Sequence, residues 1–264
     1  MRKIVILLFI FVQLTGYSQD FEVSPLQLFF NAEPGESQTK YFKVINHKST
    51  LETFVIKLSD YSINSQGVGS YEEAGSMRNS LANYASIAPS FFELAPNEEK
   101  EVAVTIQQPA DQYGSRWGVL LVSTAIEQTS FSADKGVSAG LSLSGRIVID
   151  IFQTPGTNKA YKANISNLSE LSESSDSIRT FTALVNNLGD IITNCRAYLI
   201  ATNIQTGEEF NFPAYDFTMY PKSSRKLELY LRGNLPKGTY SLAAILDYGS
   251  NTNLEGTQMM IQVE

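Results

Sequence analysis

Strand-length apolar runs follow one another along this chain, each closed by turn chemistry, and helical periodicity is nearly absent. The first half reads "FEVSPLQLFF", "TKYFKVIN", "TFVIKLSDYSI", "SFFELAP", "KEVAVTIQQP" and "WGVLLVSTAIE", with "GVSAGLSLSGRIVIDIF" as a seventh run. Turns such as "EPGES", "APNEEK" and "ADQYGS" separate them. Seven short strands at this spacing predict an immunoglobulin-like sandwich. One interruption, Asn64 to Ala85, starts rich in Gly and Ser and reads as a short helix or a surface excursion. "QTPGTNKAYK" at 153–162 reads as a joint, because Pro155 and Gly156 break the strand and polar residues follow. About seven more strand-like runs follow it, from "KANISNLSEL" to "TQMMIQV". The fold class expected is therefore all-β: two tandem immunoglobulin-like β-sandwiches joined by a short linker, over residues 19–154 and 155–264.

Such a fold must be held by its cores. There is one cysteine, Cys195, so no disulfide can form within the chain, and 43% hydrophobic residues with 28 Phe and Tyr supply the apolar material. Cys195 lies in the strand-like "NCRAYLIA" and reads as a buried, inert thiol. The one histidine, His47, sits in "VINHKST" after a strand and reads as an exposed turn residue, so no metal site is expected. No nucleophile elbow, zinc-protease motif or phosphate-binding glycine loop is present. The carboxylate pairs Glu72–Glu73, Glu98–Glu99 and Glu208–Glu209 all lie in turn-like sequence, whereas a glycosidase needs two carboxylates across a cleft. The expectation is a binding protein with no catalytic residue and no cofactor.

The N-terminus, "MRKIVILLFIFVQLTGYSQD", has two cations, a short apolar run and small residues near Ser18. It reads as a secretory signal peptide over residues 1–18, too short in its apolar part to span a bilayer. Its removal takes the net formal charge from −7 to −9. An acidic exported chain with no basic cluster is a poor partner for nucleic acid, and no second stretch inserts the mature chain into a membrane.

The run at 136–152 is unusual. Val137, Ala139, Leu141 and Leu143 fall on one face of an extended strand, and Gly and Ser fill the other until Arg146. Two readings stay open: a strand whose apolar side faces its own core, with Arg146 in a surface salt bridge, or a strand offered to a partner.

Four stretches in order, "FEVSPLQLFFNAEPGESQTKYFKVINHKS", "SIAPSFFELAPNEEKEVAVTIQQP", "QYGSRWGVLLVSTAIE" and "GVSAGLSLSGRIVIDIFQTP", resemble the first domain of the periplasmic pilus (fimbrial) chaperones over residues 21–155. The second half is compatible with that family but looks more like generic bacterial surface immunoglobulin-like domains. The resemblance implies that the last strand of the first sandwich is lent to an exported pilus or surface subunit. Val137, Ala139, Leu141 and Leu143 then stand where the lent apolar side chains would be. It implies further that Arg146 stands where a cleft lysine grips the subunit's C-terminal carboxylate. Gln27 falls about where the family's second cleft cation would be, so half of that anchor loses its charge. Arg116 in "GSRWG" offers another cation beside an aromatic residue. The function implied is a periplasmic helper of subunit assembly. The alternative is a cell-surface module that binds peptidoglycan or another cell-wall glycan.

Overall fold

The computed structural model describes residues 20–125, 145–172, 178–233, 235–250 and 253–264. The signal-peptide reading and the segment carrying Val137, Ala139, Leu141 and Leu143 lie outside the described residues. Every regular element within them is a strand, and no helix is present to cross a membrane.

The first sandwich begins with β1 (Phe21–Ser24) and β2 (Gln27–Phe30), one sequence run that changes sheets at Pro25. Proline has no N–H to donate to a ladder, so pairing with the first sheet ends there. β1 pairs with β3 (Ser37–Asn46), which pairs with β8 (Glu99–Gln107), which pairs with β6 (Ala85–Ala88). The facing sheet runs β2, β10 (Arg146–Gln153), β9 (Arg116–Thr124), β4 (Glu52–Ile63) and β5 (Gly69–Glu72), with β7 (Phe91–Leu94) also on β4. Period-2 alternation buries Phe42 and Val44 from β3, Val102, Val104 and Ile106 from β8, and Ile149 and Ile151 from β10 between these sheets.

The Asn64–Ala85 excursion differs from its sequence reading. It forms β5 and then a loop that is part of the core, since Leu81 is fully buried there. Asp60, buried on β4, accepts hydrogen bonds from Ser80 Oγ (2.5 Å) and Met77 N (2.8 Å). Arg116 donates to Ser80 O (2.9 Å) and lies 4.4 Å over the Tyr84 ring, so this cation pins the loop.

The second sandwich packs β11 (Ala163–Glu170), β12 (Ile178–Asn187) and β16 (Ser224–Arg232) against β13 (Thr193–Asn203), β14 (Glu209–Asn211), β15 (Tyr215–Met219), β17 (Gly238–Asp247) and β18 (Glu255–Val263). Its core runs from Ala163 to Ile261 and includes Phe181, Leu199 and Tyr240. Cys195 is buried in it, and burial pushes its thiol up, as an inert thiol requires. Arg179, 6% exposed, is held by Glu170 through two bonds of 2.6 and 2.7 Å and donates to Gln262 O.

The two sandwiches touch through specific contacts. Ser115 N donates to Asp190 O (2.8 Å), Ile192 N donates to Ser115 Oγ (2.9 Å), and Ser115 Oγ also meets Thr154 Oγ1 at 2.6 Å. Lys226 N donates to Ser65 O in the excursion (2.8 Å). Trp117 and Tyr220 are buried yet belong to neither core; their rings meet 4.7 Å apart, across the joint.

Candidate functional site

In an antiparallel or parallel ladder, alternate residues send both N–H and C=O to the same side of a strand. β10 pairs with β9 over its whole length, from Arg146↔Ser123 to Gln153↔Arg116. On its other side β2 covers only Asp150 to Gln153. Asp150 N donates to Leu26 O and Thr154 N to Phe30 O, so the even-numbered residues of β10 address the β2 side. Arg146 and Val148 therefore present their backbone groups to a side on which no described residue pairs with them. The chain leaves β2 for the other sheet at Pro25, which is why no described strand covers this half of the edge. That half is the end of β10 that continues the alternating 137–143 segment.

The side chains of β10 divide just as strictly. Ile147, Ile149 and Ile151 turn inward, while Arg146, Val148, Asp150 and Phe152 face out. At the hinge end, Phe152 stacks on Phe29 with centroids 5.2 Å apart. Across the sheet Phe152 opposes Trp117, whose Nε1 donates to Tyr61 O (2.7 Å), and Tyr61 opposes Tyr71. This row of five rings crosses β2, β10, β9, β4 and β5, and Tyr220 from the second sandwich covers it, 6.3 Å from Tyr61 and 6.5 Å from Phe152. Burial raises the Tyr220 phenol well above its ordinary range, and Asp150 and Tyr61 add to the effect.

One step up β10 from this row, Asp150 opposes Gln27, whose Nε2 donates to its Oδ2 at 3.4 Å. Burial raises the Asp150 carboxyl above the ordinary carboxylate range, and the bond from Gln27 pulls the other way. A cleft of about 880 Å³ opens here, lined by Leu26, Gln27, Phe29, Tyr61, Tyr71, Val148 and Asp150. Leu26, Phe29 and Tyr71 are each more than half exposed.

Gln27, which the resemblance set at a cleft between the domains, lines the cleft on the first sandwich described above. The resemblance joined Gln27 to Arg146 as one anchor, and the register separates them. Arg146 is exposed at the far end of β10, opposite Ser123 and four residues from Asp150, roughly 13 Å along the strand. The residue facing Gln27 is Asp150, which the sequence analysis passed over. The available signal was a lone charge at an outward position of "IVIDIF", five residues before Pro155. His47 is exposed in a turn, 3.2 Å from Glu22, and no group of metal-ligating side chains occurs among the described residues.

No protein-family model matches the chain, and no curated protein matches its sequence. Among solved structures, the class 5 fimbriae chaperone CfaA is similar over 92% of this chain and 99% of its own, with 13% identity and a TM-score of 0.51. A chaperone–tip adhesin complex of CFA/I fimbriae biogenesis is similar over 92% of this chain and 98% of its own, with 11% identity and a TM-score of 0.50. The likeness runs through both sandwiches, so the chain shares the fold of these proteins over 92% of its length.

Proposed function

We propose that this protein is a periplasmic chaperone for exported pilus or surface subunits and works by lending them a strand. The observation that carries this reading is the half of the β10 edge that no described strand covers. Main-chain groups of Arg146 and Val148 face a side that β2 does not reach, in line with the alternating segment that precedes them. A partner strand laid on that edge gains ladder hydrogen bonds without sequence demands, while Val137, Ala139, Leu141 and Leu143 set register in the partner's groove. Burying Val137, Leu141 and Leu143 contributes about 1.5–3 kcal/mol each, and Ala139 less. Association costs on the order of 4–15 kcal/mol, so backbone pairing must supply the remainder. The shared fold with fimbrial chaperones supports this reading; a glycan-binding role has no comparable support. In this reading the chain divides at 154–155 into a donor domain and a second domain.

The test is co-expression with candidate exported pilus subunits, with a photo-crosslinking residue at Leu141. The expected result is a crosslink to a subunit, and loss of co-purification in Leu141→Glu with an unchanged melting temperature. Equal recovery of the subunit with wild type and Leu141→Glu rejects strand donation.

A further inference from the structure

We infer that the cleft beside the Gln27–Asp150 pair recognises a basic side chain, lysine or arginine, of the bound polypeptide rather than a carboxylate. The inference rests on strand addition at β10. A strand added to the open edge must stop where β2 begins to pair, at Asp150, so its last side chains arrive beside the Gln27–Asp150 pair. The group waiting there is a carboxylate. Its one hydrogen-bond donor among the described residues is the Gln27 amide, at a long 3.4 Å. Both Asp150 oxygens thus retain lone pairs for a further donor.

The walls suit a cation as well. Tyr61 and Tyr71 present rings 5.7 Å apart, and Phe29 is 57% exposed. Aromatic faces attract ammonium and guanidinium groups, and a partly desolvated carboxylate beside them adds a charge-assisted hydrogen bond. A carboxylate entering the same space would meet the Asp150 carboxylate, and the residues lining the cleft, Pro25, Leu26, Gln27, Phe29, Tyr61, Tyr71, Val148 and Asp150, include no lysine or arginine to offset the repulsion. The cleft is therefore built to reject an acidic chain end and to accept a basic residue.

The probe is Nα-acetyl-argininamide, with N-acetylglycine as the carboxylate control, titrated into the millimolar range against the mature protein. Binding is read from the ring resonances of Tyr61 and Tyr71. The expected result is saturable binding of the arginine probe only, weakened at least about fivefold in Asp150→Asn. The double variant Gln27→Arg, Asp150→Lys should reverse the preference and bind N-acetylglycine. No binding of the arginine probe, equal binding of both probes, or an unchanged affinity in a folded Asp150→Asn variant overturns the inference. Because neither probe needs the donor segment, these outcomes stand apart from the Leu141 crosslink, which reports on strand donation alone.

Discussion

Truncating Tyr220 to alanine should uncouple the two sandwiches. The ring is 8% exposed, belongs to neither core, and contacts Trp117, Tyr61 and Phe152 of the first sandwich at 4.7, 6.3 and 6.5 Å. Truncation of a buried aromatic costs about 3–5 kcal/mol, of which each lost ring pair accounts for roughly 0.5–1.5. Because the ring's partners lie across the joint, most of that loss falls on docking rather than on either core. A loss of about 3 kcal/mol lowers the docking equilibrium constant more than a hundredfold. Differential scanning calorimetry should then resolve two transitions where the wild type shows one. Tyr220→Phe keeps the ring and removes a hydroxyl with no hydrogen-bond partner among the described residues, so it should melt like wild type. A single, unshifted transition in Tyr220→Ala would refute the idea that this ring locks the joint.

Further outcomes follow from other contacts. Leu81→Ala should cost about 2–5 kcal/mol in denaturant unfolding and expose the 64–85 loop to proteolysis, because Leu81 fills the first core. Glu170→Ala should destabilise the second sandwich by about 3 kcal/mol, as it strands the buried Arg179; Glu170→Leu with Arg179→Met should recover part of that. Asp150→Asn should stabilise the protein at neutral pH. The folded-state pKa of Asp150 lies above its unfolded value, so its charge lowers stability as pH rises from the unfolded value through the folded one. The difference between variant and wild type should accordingly close as the pH falls through that window in urea titrations.

The two-sandwich architecture was legible because alternation, turn residues and the Pro155–Gly156 break are local signals. What local pattern could not show was pairing. "FEVSPLQLFF" reads as one strand, yet Pro25 splits it between two sheets, and only the parallel register of β2 on β10 brings Gln27 to Asp150. The resemblance set Arg146 as the anchor, where a cleft lysine would stand. The distance to the hinge, counted back from Pro155, would have pointed to Asp150 instead. The excursion deceived for a different reason: its glycines and serines look solvated, while Leu81 and Ser80 are placed by the distant Asp60 and Arg116.

The account turns on the Val148 amide, which addresses the uncovered side of β10, whereas Ile147 and Ile149 address β9. Hydrogen exchange followed residue by residue, for the protein alone and in complex with an exported subunit, tests it directly. Val148 should exchange fast in the free protein and slow by orders of magnitude in the complex, with Ile147 and Ile149 protected in both. A Val148 amide already protected in the free protein, or equally exposed in the complex, would contradict strand donation at this edge.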